Sequence, residues 1–249
     1  MLFAASALQG YSIEATDGKL GSVSDLLVDD HSWKVRWLVV DTGHWLSGRK
    51  VLVHPSAVKS MDIERRVLPV ALTKVQVEES PSLSTDEPVS RQMEGSLFNY
   101  YGYDPYWGGS YFGGAMDPSP MPYGADVGIA AAQREAELGD PQLRSAAALT
   151  GYHMHATDGG IGHLDNLMID DASWGVRYLV VDTKNWWPGK HVIISPYAIR
   201  RIEWSGHQIV LDVSREQVKG SPEWDPAGAI DRLYEKQLHG YYGWPGYGF

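Results

Sequence analysis

No cysteine occurs among the 249 residues, which excludes disulfides, thiolate metal centres, iron–sulfur clusters and a cysteine nucleophile, and is compatible with a reducing cytoplasm. No apolar run reaches the roughly 18 residues that a membrane-spanning helix needs. The start, Met1 to Leu8, is mildly apolar but has no basic leader, so no signal peptide is expected. A Gly-x-Ser-x-Gly elbow is absent, and Gly18-Lys19-Leu20-Gly21 is too short for a phosphate loop. Basic residues are few: 21 Lys and Arg face 31 Asp and Glu, for a net charge of -10. That balance disfavours nucleic acid, whose affinity rests on neutralising phosphates, and a broad electrostatic dock on anionic lipid. Phenylalanine is also scarce, 4 residues against 10 Trp and 14 Tyr. The aromatics therefore carry a polar handle, which suits interfaces where one end is buried and the other finds a hydrogen-bond partner.

What is present is a repeat. The stretch Val28-Asp29-Asp30-His31-Ser32-Trp33-Lys34-Val35-Arg36-Trp37-Leu38-Val39-Val40-Asp41-Thr42 returns, 141 residues on, as Ile169-Asp170-Asp171-Ala172-Ser173-Trp174-Gly175-Val176-Arg177-Tyr178-Leu179-Val180-Val181-Asp182-Thr183. The same spacing, without a gap, maps Gly10-Tyr11 onto Gly151-Tyr152, Pro55 onto Pro196, Pro81 onto Pro222 and Tyr100-Tyr101-Gly102 onto Tyr241-Tyr242-Gly243. Each copy reads as a β-hairpin: an apolar run, a turn rich in Asp and Ser, then a β-branched and aromatic strand. Around it the pattern predicts strands at Tyr11–Ala15, Gly21–Val28, Val35–Asp41, Val51–Val53, Ala57–Asp62 and Val67–Leu72, with counterparts in the second copy that include Ala198–Glu203 and Ile209–Val213. Short strands at this spacing point to a small barrel or sandwich, and closure removes exposed edges. Helices are expected over Pro88–Tyr101 and Pro226–Tyr242, with a short one over Ala130–Leu138. The Gly-, Tyr- and Pro-rich stretch from Gly102 to Gly124 reads as a linker whose rings are pinned to a barrel.

Motif and order together resemble the PRC-barrel family, which includes the cytoplasmic domain of the photosynthetic reaction-centre H subunit and the C-terminal domain of the ribosome-maturation factor. The resemblance is carried by Leu8-Gln9-Gly10-Tyr11, Asp17-Gly18 with Gly21, Leu27 to Asp30, Val35 to Asp41 and Val51 to Pro55, and again by Leu149 to Tyr152, Asp158-Gly159 with Gly162, Met168 to Asp171, Val176 to Asp182 and Val192 to Pro196. The expected fold is mainly β: two tandem small PRC-type β-barrels, each followed by a short helix. The expected division is 1–101, a linker over 102–140, and 141–249 with an aromatic tail. The resemblance implies attachment to a larger complex, at a membrane surface or in a photosynthetic-type assembly.

Four groups of residues are candidates for function. Asp29, Asp30 and Asp41, repeated as Asp170, Asp171 and Asp182, could offer oxygen ligands to a divalent cation, but Asp in a turn caps backbone N–H groups for purely local reasons. Arg36 and Arg177 are expected to pair with these carboxylates as structural ion pairs. His153 and His155 face one side of a strand, with His163 and His191 as possible neighbours, and form a weak metal candidate. The first copy has Ser12, Glu14, Ser22 and Lys50 at those positions, so no metal and no other cofactor is expected. Trp45, Trp186, Trp187, Tyr242 and Trp244 either cover the barrels or, where exposed, form a binding surface for another protein. The expectation is a non-enzymatic interaction or assembly module, cytoplasmic or peripheral to the inner membrane, whose partner is a protein, a second copy of the chain included. The alternatives are a metal or small-ligand sensor built on the second-copy histidines and, less favoured by the charge, an RNA- or ribosome-associated factor.

Overall fold

The structure is a computed structural model that describes residues 1–81, 91–103, 143–183, 186–187, 190–226 and 228–247, without the side chains of residues 91 and 92. In chain order the elements are β1 (Leu2–Ala4), β2 (Ser12–Ala15), β3 (Gly18–Asp29), β4 (Lys34–Asp41), β5 (Lys50–Val53), β6 (Val67–Pro69), α1 (Lys74–Glu78), α2 (Arg91–Tyr101), β7 (Leu143–Ser145), α3 (Ala146–Leu149), β8 (His153–Ala156), β9 (Gly159–Asp170), β10 (Val176–Asp182), β11 (His191–Ile194), β12 (Ile199–Glu203), β13 (Gln208–Leu211), α4 (Arg215–Gly220) and α5 (Arg232–Tyr242). The fold is mainly β, in two sheets with few helices. One sheet has the order β5-β4-β3-β2-β6 with β7 on β3, and the other β11-β10-β9-β8-β13-β12 with β1 on β9. β2 runs parallel to β6 and β8 parallel to β13.

The long strands form where the pattern places them. β3 begins at Gly18 with φ 140° and β9 at Gly159 with φ 141°, a backbone that favours glycine. Val23, Leu26 and Val28 are buried along β3, and Trp37, Leu38 and Val40 along β4. Pro55 and Pro196 open 3-10 turns, Pro55–Ala57 and Pro196–Ala198, capped by the side chains of His54 and Ser195. The fifth extended segment becomes a strand, β12, only in the second half. In the first half it makes the single bridges Val58–Val70 and Asp62–Val67. Three short helices, α1, α3 and α4, lie beyond the expected set. Thr73 with Gln76 and Ser214 with Gln217 form reciprocal capping boxes at the starts of α1 and α4, satisfying first-turn N–H groups. α2 and α5 fall in the expected helical stretches, and α5 is capped by Asp231 and ended by Gly243 at φ 72°. The expected helix over Ala130–Leu138 and the linker beyond Tyr103 lie outside the described residues.

The chain packs as two compact units, one of Met1–Tyr11, Val23–Leu38 and Arg144–Phe249, the other of Ser12–Ser22 and Val39–Leu143. In the second of these, Ile13, Leu20, Val53, Leu68, Val77, Leu97 and Phe98 are buried, and the rings of His54, Phe98 and Tyr103 meet at 5.3–6.4 Å. Gly21 passes so close to the Asp41 carbonyl that a Cβ there would collide with it.

The other unit is knitted by contacts that recur at the 141-residue spacing. β1 adds to β9, and β7 adds to β3. The Ser6 N–H donates to Asn166 Oδ1, and the Ala147 N–H to Asp25 Oδ1. Two ion pairs join the same segments off that spacing, the Met1 ammonium with Asp171 and Arg144 with Asp30 at 3.0 Å. Each short strand and its partner are thus exchanged between early and late segments of the chain in an isologous manner.

Candidate functional site

The two hairpin turns meet at the centre of this unit. Val35 N–H donates to the Trp174 carbonyl at 2.8 Å and Val176 N–H to the Trp33 carbonyl at 2.7 Å. Trp33 and Trp174 sit at φ 53° and 55°, a left-handed backbone that is unfavourable for a bulky residue. The structure around them compensates: Trp33 N–H bonds the Asp29 carbonyl and Trp174 N–H the Asp170 carbonyl, both at 2.8 Å. Asp29 Oδ1 accepts the N–H groups of His31 and Ser32 at 2.9 Å, while Oδ2 accepts from Arg36 at 3.1 and 3.3 Å. Burial alone would raise the Asp29 pKa, but the Ser32 and His31 N–H groups and Arg36 together hold it below the usual carboxylate value. Asp170 follows the same rule: burial raises its pKa, and the Ser173 hydroxyl and Arg177, at 3.2 Å, more than reverse that. These carboxylates and arginines are therefore tied into the turns they begin. Asp30 and Asp171 serve the exchanged strands, Asp41 accepts the Gly43 N–H, and Asp182 lies between His163 and His191 in the strand registers.

Beside the first hairpin opens a groove of about 500 Å³. One wall is the turn itself, Asp30 to Trp33. The other runs from Pro196 and Tyr197 along Ile199, Arg200, Arg201 and Ile202 to Trp204, with Tyr247 at its end. Arg144 lies 3.8 Å above the Trp204 ring while its Nε holds Asp30, so cation–π contact and ion pair fix the indole and neutralise the carboxylate together. Tyr197 stacks on Tyr247 at 5.6 Å, and Tyr247 donates its hydroxyl proton to the Arg177 carbonyl at 2.7 Å. Tyr197 is 51% exposed, and both arginines are exposed. Trp, Tyr and Arg are the residue types that carry most binding energy at protein interfaces.

Residues 1–77 match the PRC-barrel domain. A stretch of 75 residues is also 35% identical to an uncharacterized protein of Deinococcus radiodurans, covering 30% of this chain, and the chain spans 27% of that relative's length. The PRC-barrel match contains the whole first hairpin and the Asp30–Trp33 wall of the groove, whereas the Tyr197–Trp204 wall comes from beyond it.

The aromatic residues singled out in the sequence have intramolecular neighbours. Within the PRC-barrel match, Trp45 is half-buried with Lys74 Nζ at 4.7 Å from its ring. Trp186 lies between Arg215 at 4.9 Å and Lys219 at 5.2 Å, edge-on to Trp187. Tyr242 and Trp244 stack at 4.1 Å against the cluster of Tyr178, Val180, Ile193 and Leu238. Among the histidines, His153 stands opposite His163 with ring centres 4.6 Å apart, His155 opposite Gly160, and His191 opposite Asp182. Among the described residues no three His, Asp or Glu side chains are grouped to hold a metal. Among them, too, no helix is long and apolar enough to cross a membrane.

A polar cluster under α5 lies outside the sequence candidates apart from Arg177 and Asp170. The Tyr178 hydroxyl stands 3.1 Å from Glu235 Oε1 and 2.9 Å from His239 Nε2, His239 Nδ1 bonds the Pro245 carbonyl at 2.7 Å, and Arg177 spans Asp170 and Glu235. Burial pushes the Tyr178 phenol far up and the His239 imidazole down. The signals for both sites lay where the two copies differ: Tyr197, Arg201 and Trp204 replace Ser56, Ser60 and Ile63, and Tyr178 and His239 replace Trp37 and Phe98.

Proposed function

We propose that the chain is a non-enzymatic protein-interaction or assembly module built from two tandem PRC-type barrels, residues 1–101 and 141–249, joined through 102–140. The observation that carries the reading is the open groove, where Tyr197, Arg200 and Arg201 are exposed and the half-buried Trp204 lines the wall, beside the first hairpin. Rigid aromatic anchors bind at low entropic cost, and Arg supplies directional bonds, so such a surface suits another protein. The tandem reading draws on the strands and helices that recur at one spacing and on the PRC-barrel match to residues 1–77. The turn carboxylates favour a structural role, since their oxygens already accept bonds from the turns and from arginine.

A photocrosslinking amino acid placed at Tyr197 tests this in native lysate, with the 65%-exposed Leu233 as control. Discrete adducts with one protein at Tyr197, and none at Leu233, are the expected result. Equal or absent labelling at both positions would overturn the reading of this surface, and a turnover abolished by Asp29→Asn in a protein that stays folded would overturn the non-enzymatic part.

A further inference from the structure

We infer that the groove takes an extended acidic segment of the partner protein, added as a strand along β12; the inference rests on the interaction-module reading. β12 is the end strand of its sheet. Four consecutive residues of it, Ile199 to Ile202, line the groove. Successive side chains of a strand face opposite sides, so a depression touched by four in a row follows the strand's edge and not one of its faces. An end strand offers backbone N–H and C=O groups to an incoming strand, and recognition by strand addition draws its affinity from that ladder and its selectivity from the flanking side chains.

The flanking side chains select for negative charge. The register between β12 and β13 shifts between Ile199 and Arg201, leaving Arg200 as the extra residue, and both arginines are exposed one after the other. Such a bulge re-aims side chains that regular pleating would send to opposite faces. Glu203 engages Arg201 at 2.7 and 2.9 Å, whereas Arg200 has no carboxylate partner among the described residues. Asp30, the acidic group on the opposite wall, is already neutralised by Arg144. Two adjacent guanidinium groups thus face the groove in a chain of net charge -10, and the guanidinium fork matches a carboxylate in two parallel bonds. Tyr197 and Trp204 offer ring surface to side chains that alternate with the acidic ones. The first copy has Ser60 and Ile63 where the second has Arg201 and Trp204, so these two features of the site are not repeated there.

Fluorescence anisotropy of the full chain with a labelled ten-residue peptide of alternating glutamate and valine tests the inference. Saturable binding is expected. It should weaken at least roughly tenfold when lysine replaces glutamate in the peptide, when alternate peptide nitrogens are methylated, or when the protein carries Arg200→Glu with Arg201→Glu at unchanged circular dichroism. Glu203→Gln, which frees Arg201, should tighten it. No saturable binding, equal binding of the lysine peptide, or indifference to backbone methylation overturns the inference. So does a uridine decamer that displaces the peptide at lower concentration than unlabelled peptide does. A Tyr197 cross-link that survives the double arginine substitution undamped overturns the acidic-strand inference and leaves the module reading standing. Peptide binding with no cross-linked partner overturns the module reading alone.

Discussion

Tyr178, Glu235 and His239 form a hydrogen-bonded chain in the second half of the protein, while 141 residues earlier the same positions hold Trp37, Glu94 and Phe98. Tyr178 and Trp37 are both fully buried, and so is Glu94. The same sequence positions therefore carry an indole and a phenyl in one copy and a phenol and an imidazole in the other. Burying a hydroxyl and an imidazole is costly unless each finds a partner, and the second half supplies them: Glu235, Pro245 and Arg177 complete the set. The difference teaches that the second half has become a polar interior in which each member depends on the rest.

The most damaging way to test that dependence is Arg177→Ala. It removes one guanidinium from two carboxylates, Asp170 at 3.2 Å and Glu235 at 3.3 Å, and both are nearly inaccessible. Breaking a buried pair by removing one partner costs about 3–5 kcal/mol. Urea unfolding should show a loss in that range, only partly restored by Arg177→Lys, whose ammonium lacks the fork that spans both partners. A loss below about 1 kcal/mol would mean that the polar interior does not depend on its cation.

Glycine substitutions come next and sharpen the comparison where the halves should nearly agree. A Cβ at Gly21 would strike the Asp41 carbonyl, and one at Gly162 the Asp182 carbonyl. Overpacking of this kind costs about 1–3 kcal/mol. Gly162 also has φ 133°, which Gly21 does not share, so Gly162→Ala should be the worse of the two by denaturant midpoint. Equal losses would show that the strand relaxes and that backbone strain contributes nothing.

Tyr178→Phe should cost about 1–2 kcal/mol, since it removes the hydroxyl that stands between Glu235 Oε1 and His239 Nε2 in a buried site. Double substitution with His239→Phe, the first-half residue, should recover part of that loss. Strict additivity of the two would dissolve the idea of a coupled chain.

Much of this architecture was legible because its causes are local. The hairpins follow from Asp and Ser at the turn and β-branched residues after it, and Asp29 and Asp170 do hold the turn N–H groups that such residues are selected to hold. The starts of α1 and α4 carried a local signal that the expected set passed over, Thr73-x-x-Gln76 and Ser214-x-x-Gln217, in helices too short for any apolar period to show. The exchange of β1 and β7 was not. Leu2–Ala4 and Leu143–Ser145 are three residues each, and nothing in three residues says which distant strand they join. The groove was hidden for a related reason: Asp30 to Trp33 and Tyr197 to Trp204 are far apart in sequence, and only the meeting of the turns gives them a common space. The prominent tryptophans drew attention as a surface, yet Trp186 lies against Arg215 and Lys219, and Trp244 against Tyr242, contacts that no spacing announces.

The smallest effect is the most specific to the second half, because Phe98 cannot titrate. His239 Nδ1 bonds the Pro245 carbonyl, which requires a proton there, so the neutral ring presents Nε2 as an acceptor that shares the single Tyr178 hydroxyl proton with Glu235 Oε1. Burial is the largest influence on this imidazole and pushes its pKa below the ordinary histidine value of 6.5. The Pro245 bond and Glu235 pull it back up in part, and Arg177 adds to the lowering. A histidine whose folded pKa is depressed makes the unfolded chain bind more protons, so stability rises with pH through that window. The contribution is complete above about pH 6.5 and is lost as pH falls toward the folded pKa. Wild type minus His239→Phe, measured as unfolding free energy between pH 7.5 and 5, should therefore decline toward acid. The carboxylates Asp29 and Asp170, whose folded values are lowered, act at more acid pH and cancel in the difference. A flat difference would mean that His239 is no more buried in effect than an open histidine, and a rise toward acid would mean that the imidazolium, handing its Nε2 proton to Tyr178 and leaving the phenol to serve Glu235, is the form the second half was built around.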